Sequence, residues 1–146
     1  MSAPDTSVPK VSVVVMTYNH RRYIEQALDS VLSQRTTFTC ELLISEYCST
    51  DGTREVVIDY QRRHPERIRL LLSERNLRSN AVVARGINAA RGQYVAMLDG
   101  DDYWIHDDKL QRQADFLDAH PECTMCFHNA RVEYEDGSRP PWNCVP

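Results

Sequence analysis

No GxGxxG opens a helix in this chain and no GxxxxGK[ST] follows a strand, so neither a dinucleotide site nor a P-loop is supported. Only 5 of the 146 residues are glycine, and a phosphate ligand would need partners other than a glycine cradle. No apolar run approaches the length of a membrane span. No basic run or aromatic–basic stripe is present, and a net charge of −4 gives no electrostatic reason to expect nucleic acid. The polar, proline-containing start MSAPDTSVPK is not a signal peptide and reads as a short disordered leader over residues 1–9. Metal-ligand spacing is also missing. Cys123 and Cys126 form a CxxC, which suits a redox pair or half a zinc site, but no second pair accompanies it; buried free thiols are the plainer reading. His20, His64, His106, His120 and His128 show no ligand spacing. The 5 cysteines are an odd number in a chain large enough for its own core, which argues for reduced thiols and a cytoplasmic location.

What remains is the composition of an ordinary soluble domain, 42% hydrophobic and 26% charged. VSVVVM (11–16) reads as a first strand. Tyr23, Ile24, Ala27, Leu28, Val31 and Leu32 recur at helical spacing, predicting an amphipathic helix that ends near Gln34. CELLIS (40–45) is a second strand. STDGT is a turn with several N-cap candidates, and Val56, Val57 and Tyr60 mark a second helix. IRLLLS is a third strand, ERNLRSN a polar loop, and 81–91 an Ala-rich helix with Gly92 as its C-terminal stop. After a fourth strand, DDKLQRQADFLDAH is an amphipathic helix bearing Leu110, Ala114, Phe116 and Leu117. CTMCFH reads as a fifth strand, VEYEDGS as the start of a hairpin or loop, and RPPWNCVP as an irregular tail. Strands alternating with helices predict an α/β fold with a mostly parallel sheet.

The fourth strand carries the most informative stretch, YVAMLDGDDYW (94–104). An apolar run that suits a buried strand ends at Leu98, and Asp99, Asp101 and Asp102 follow at once. Carboxylates this close raise one another's pKa unless something positive sits among them. One reading is a solvated turn, since Asp and Gly are turn residues. The other is a Mg²⁺ or Mn²⁺ site, because hard cations take carboxylate oxygens and commonly carry phosphates as further ligands. Parallel sheets bind ligands beyond the carboxyl ends of their strands. The segments TYN, EYCSTDGT and DGDD, after strands one, two and four, would all fall at that edge. Arg85 or Arg78 would be a further partner for phosphate.

Three blocks in order, VSVVVMTYNHRRYIEQALDSVLSQ, ELLISEYCSTDGT and ARGINAARGQYVAMLDGDDYW, resemble the family 2 glycosyltransferases with the GT-A fold. The likeness runs from about Lys10 to Asn129. It implies a GT-A-like (Rossmann-like) nucleotide-sugar-binding domain over residues 10–138, with 139–146 as a tail. It implies transfer of a sugar from a nucleotide-diphosphate donor to an acceptor hydroxyl, usually with inversion. Asp99-Gly100-Asp101 corresponds to the family's DxD motif. By resemblance, Asp101 contacts Mn²⁺ or Mg²⁺ at the donor's diphosphate, Asp99 lies near the ribose or the metal, and Asp102 sits beside them. Thr17, Tyr18 and Asn19 match the first-strand exit that flanks base and ribose, although Tyr18 also suits a core aromatic. Arg85 matches an arginine that reaches towards the nucleotide; its plain alternative is a solvated helix residue. Ser49 to Gly52 match the family's turn and are read as capping the second helix.

Two departures follow from the same resemblance. The second block usually carries an acidic pair whose second member binds the base, typically uracil. Here the pair is Glu46-Tyr47, which puts a UDP-sugar preference in question. Members also run on for roughly another hundred residues that supply the acceptor site and catalytic base. Glu133, Glu135 and Asp136 match no family motif, so no base is identified, and the chain reads as the donor and metal half. The acceptor, a glycan or lipid-linked sugar, is not specified, and apolar surface exposed where the other half would dock favours a homodimer. Two alternatives stand. One is a non-catalytic nucleotide- or partner-binding domain derived from such an enzyme. The other is a phosphatase of the haloacid dehalogenase type, whose DxD sits on its first strand.

Overall fold

The β-branched run at 11–17 and the Leu/Ile-rich run at 40–46 form the two central strands of a parallel sheet. The protein is seen here in a computed structural model that describes residues 8–76 and 81–145. Strands β1 (Val11–Thr17), β2 (Cys40–Glu46), β3 (Ile68–Leu72) and β4 (Tyr94–Asp99) lie in the order β3-β2-β1-β4, every pairing parallel. Helices α1 (Ile24–Leu32), α2 (Thr53–Arg63) and α3 (Ala81–Ala89) connect them, and α4 (Lys109–Ala119) follows β4. The predicted α/β alternation therefore holds, with helix ends a few residues tighter than the periodicity suggested. The leader falls largely on residues 1–7, and the polar loop with Arg78 on 77–80; both lie outside the described residues.

Period-two alternation sorts the strands between two faces. Val11, Val13, Val15, Leu42, Ile44 and Leu98 pack with Ile24, Leu28 and Val31 of α1 and Val57 and Tyr60 of α2. Trp104, Leu110 and Ala114 join this core. The opposite face carries α3, which approaches β1 so closely that a Cβ on Gly86 would lie 2.5 Å from Val14 Cγ1.

Three expectations need correcting. β4 is not a buried strand: it is the edge of the sheet, Val95 and Met97 are 40% and 45% exposed, and only Leu98 is buried. An edge strand has one lateral neighbour, and α3 lies over β1 and β2. Gly92 does not stop a helix in the left-handed conformation. α3 ends at Ala89, and among the described glycines only Gly52 and Gly137 have positive φ. Glycine is needed at 92 for close approach, since a Cβ there would stand 2.5 Å from the Ser12 amide nitrogen. Finally, CTMCFH is not a strand. A strand needs a ladder partner, and among the described residues 123–128 have none; Met125 and Phe127 are exposed.

The chain divides into two compact units, one running to Ala114 and the other from Asp115. In the second, the hairpin anticipated around VEYEDGS forms from β5 (Arg131–Val132) and β6 (Trp142–Asn143), paired antiparallel. β6 lies within the stretch expected to be irregular. Asn129 secures it, its Oδ1 accepting from Val145 N at 2.8 Å and its Nδ2 donating to Val145 O at 2.7 Å.

Candidate functional site at the carboxyl edge of the sheet

Strand register brings the predicted segments together. Thr17 pairs with Glu46 and Met16 with Asp99, so β1, β2 and β4 end on one line. The loops after β1 and β2 are then stitched side chain to backbone. Asn19 N donates to Ser49 Oγ at 3.0 Å, Thr50 N to Asn19 Oδ1 at 2.9 Å, and Arg21 N to Asp51 Oδ2 at 3.0 Å. Asn19 holds φ 56°, a left-handed conformation that asparagine tolerates better than most residues. The other Asp51 oxygen accepts from Thr53 N at 3.0 Å and Thr53 Oγ1 at 2.6 Å, which ties the turn to the first residue of α2; the N-cap position is Gly52, in the left-handed conformation and without the side-chain cap that the turn residues implied.

The DGDD turn rests on this platform. Gly100 is buried and donates its N–H to Met16 O at 2.8 Å. A Cβ on Gly100 would stand 2.7 Å from Thr17 Oγ1 and 2.8 Å from His20 Nδ1, so only glycine lets the turn sit down on the β1 exit. Asp102 N closes the turn onto Asp99 O at 3.0 Å, and downstream Trp104 N donates to Ser30 Oγ at 3.1 Å, anchoring the segment on α1. Asp99, Asp101 and Asp102 are all exposed. Asp101 Oδ2 lies 3.8 Å from His20 Nε2, whose ring stands 3.4 Å from Thr17 Oγ1 through Nδ1. Although Asp102 is exposed as a residue, the pKa of its carboxyl is raised, first by the partial desolvation of that group in the turn and then by Asp101 and Asp99, with His20 opposing. His20 carries no spacing signal, because its carboxylate partner is distant in sequence; only the fold pairs them.

The remaining predicted residues separate by face. Glu46 is wholly buried on the α1–α2 face. Its Oε1 accepts from Ser49 N and its Oε2 from Arg54 Nε at 2.7 Å, while Arg54 also donates to Ser73 O. Thr17 is buried on that face too, and Tyr18 is exposed. Tyr47, one residue on, turns to the α3 face as its N–H continues the ladder to Thr17 O at 3.1 Å. The Tyr47 hydroxyl is buried without a hydrogen-bond partner among the described residues. Its pKa is raised by burial and by Asp99, against the pull of Arg85 and Ser45; the Ser45 hydroxyl itself donates to Val82 O at 3.4 Å. Arg85 extends from α3 to donate to Leu71 O and Leu72 O, and its Nε is buried without a partner among the described residues. Tyr47, Arg85 and Asp99 are thus gathered on the α3 side, and Glu46 and Thr17 support them from beneath.

The donor set suits a divalent cation only in part. Among the described residues no three metal-capable side chains converge, so the protein offers no closed cage. The adjacent exposed carboxylates of the turn do suit Mg²⁺ or Mn²⁺, which bind through one or two carboxylates and complete their shell with phosphate and water. A cavity of about 460 Å³ lies elsewhere, at the amino edge of the sheet, lined by Gln34, Cys40, Glu41 and Arg67. It includes none of the carboxylates of the DGDD turn.

A family model described as glycosyl transferase family 2 matches residues 12–143, and the chain belongs to that family. TuaG of Bacillus subtilis, named as a teichuronic acid biosynthesis glycosyltransferase, is 40% identical over 132 residues, covering 89% of this chain and 50% of that protein. A crystal structure of S. aureus TarS in complex with UDP superposes with a TM-score of 0.66 at 32% identity, over 77% of this chain and 33% of that one. The mannosyltransferase PcManGT of Pyrobaculum calidifontis, in complex with GDP-Man and Mn²⁺, gives 0.67 at 28% identity, over 79% and 34%. The fold is that of the GT-A glycosyltransferases. The chain spans a third to a half of the length of these relatives.

Proposed function

We propose that this chain binds a nucleotide-diphosphate sugar at the carboxyl edge of its sheet, as the donor half of an inverting, metal-dependent glycosyltransferase. The observation that carries the reading is the register that sets the exits of β1, β2 and β4 on one line, with three exposed carboxylates upon it. In this reading Asp101 and Asp99 hold Mn²⁺ or Mg²⁺ against the diphosphate, and Asp102 tunes the charge beside them. Bound there, the cation stabilises the negative charge that develops on the departing nucleoside diphosphate. Gly100 permits the turn's close seat, while Thr17, Asn19 and Glu46 hold the floor through the contacts already described. Tyr18, Tyr47 and Arg85 flank base and ribose. Among the described residues the Tyr47 hydroxyl and Arg85 Nε are buried without partners on that side of the sheet, which leaves hydrogen-bonding capacity for a ligand that reaches them.

The donor is a UDP-sugar in the family's common pattern, with Tyr47 deciding whether uracil is preferred. The acceptor is a glycan or lipid-linked sugar of an envelope polysaccharide, as the name of TuaG suggests for that protein. No helix among the described residues is long and apolar enough to cross a membrane; the proposed use of nucleotide sugars is what places the domain in the cytoplasm in this reading. Calorimetric titration with UDP and GDP, each with Mn²⁺ and again with EDTA, tests the proposal. Metal-dependent binding that Asp101→Ala abolishes is expected. No binding of either nucleotide would refute it. Binding without transfer or hydrolysis of the matching nucleotide sugar would favour the non-catalytic alternative.

A further inference from the structure

The fold brings His20 against the DGDD turn, and nothing in the sequence gives it a task. Its backbone is fixed at the entry to α1, where the His20 carbonyl accepts from both Tyr23 N and Ile24 N at 2.9 Å. Its ring is fixed as well. Nδ1 stands 3.4 Å from Thr17 Oγ1, and Thr17 is buried in the sheet. Gly100 closes on the same ring, since a Cβ there would lie 2.8 Å from Nδ1. The remaining ring nitrogen, Nε2, faces the Asp101 carboxylate and lies 3.8 Å from Oδ2. The His20 side chain is 24% exposed and that of Asp101 50%. The contacts therefore run from an interior hydroxyl, through the ring, to a carboxylate at the surface that a ligand would meet.

An ionised carboxylate accepts hydrogen bonds and cannot donate. The nitrogen that faces it favourably is one carrying hydrogen, Nε2–H. In a neutral ring this leaves Nδ1 as the acceptor for the Thr17 hydroxyl. At 3.8 Å the contact with Asp101 is an electrostatic attraction and not a formed hydrogen bond. It still draws Oδ2 inward and leaves Oδ1 for another partner. Asp101 has use for such a hold. It lies in an exposed turn directly after a glycine, and a side chain free among rotamers loses that freedom when it takes up a ligand. Groups behind metal-binding carboxylates do this orienting in general, and losing one costs roughly 10–100-fold in metal affinity.

We propose that His20 is a positioning residue for Asp101: held by Thr17, it presets this one of the three carboxylates of the turn for a divalent cation. The inference rests on the donor-site reading above and deepens it. His20 itself touches neither cation nor nucleotide; it acts through Asp101.

Mn²⁺ binding to the 146-residue chain, followed by electron paramagnetic resonance in the presence of UDP or GDP, whichever it takes, reads the role. His20→Ala is expected to weaken Mn²⁺ about tenfold at a temperature where circular dichroism shows the variant folded. His20→Gln carries an amide N–H₂ in place of Nε2–H and is expected to restore most of the loss, which a ring serving only as filler would not allow. In ¹⁵N spectra of the ligand-free chain, the Nε2 resonance of His20 should move on Asp101→Asn while those of His64 and His120 stay. Wild-type Mn²⁺ affinity in His20→Ala, a His20→Gln chain as weak as His20→Ala, or an unmoved His20 resonance would each overturn the inference and leave the donor site standing. A wild-type chain that binds neither nucleotide with Mn²⁺ would instead overturn the donor-site reading, and the ligand-free spectrum would then still decide whether His20 holds Asp101.

Discussion

Glu41 is a residue whose loss should be felt in stability, and its contribution can be worked from the structure. The side chain sits on β2 and is 5% exposed, and five donors converge on it. Ser12 Oγ and Arg91 N reach Oε1 at 2.6 and 2.9 Å. Arg69 Nη1, Arg91 Nε and Arg91 Nη2 reach Oε2 at 2.9, 3.1 and 2.8 Å. Burial alone would raise the carboxyl's pKa, but these donors overcome it and bring the group from 4.5 to about 2. A folded-state pKa below the unfolded one adds stability that is complete above about pH 5 and is lost as pH falls towards 2. The shift corresponds to about 3 kcal/mol at most. The guanidinium side chains of Arg69 and Arg91 are 40% and 57% exposed, so solvent screening trims this to about 2 kcal/mol. Glu41→Gln keeps the shape but has one acceptor oxygen, and its amide N–H₂ must face donors. Urea unfolding of both chains at neutral pH should differ by about 2 kcal/mol, several degrees in melting temperature. The gap should narrow steadily between pH 5 and pH 2. A gap that stays constant with pH, or that is absent at neutrality, would refute the electrostatic account.

Arg54→Ala should cost about 3 kcal/mol or more in the same assay, because it strands a wholly buried Glu46 carboxylate; a near-neutral result would mean that water reaches Glu46. Gly92→Ala should destabilise by more than Gly137→Ala, since the first Cβ meets the Ser12 backbone at 2.5 Å while the second meets nothing within 4 Å and bears only its φ of 64°. Equal thermal shifts would count against the steric argument. Gly100→Ala should cost about 1–3 kcal/mol by overpacking and should weaken nucleotide binding beyond what that loss of stability explains. Titration at a temperature where the variant is fully folded separates the two effects, and unchanged affinity would remove Gly100 from the site.

How much of this was legible in the sequence differs from element to element, for physical reasons. The four strands and their helices could be read because apolar periodicity is local, and so could the convergence at the carboxyl edge, which parallel topology imposes once the strands are placed. β4 could not be read as an edge. YVAML looks the same whether one strand or two lie beside it, and burial depends on that number. CTMCFH failed for the related reason that apolar residues make a strand only where a ladder partner waits. The pairing of His20 with Asp101 and of Arg54 with Glu46 depends on tertiary approach, which no spacing encodes.

The site itself shows the clearest division of labour. A motif match treats Glu46-Tyr47 as a pair with a shared duty, but consecutive residues at a strand end point to opposite faces. Glu46 descends to Arg54 and Ser49 N and fixes the loop. Tyr47 rises to the α3 face, where Arg85 and Asp99 act on it. A substitution at position 47 can therefore alter what the site recognises without disturbing the floor beneath it, whereas a substitution at 46 must disturb the floor first. A Tyr47→Phe chain should accordingly keep its melting temperature while its nucleotide preference or affinity changes. A loss of stability with unchanged binding would place the Tyr47 hydroxyl in the scaffold instead.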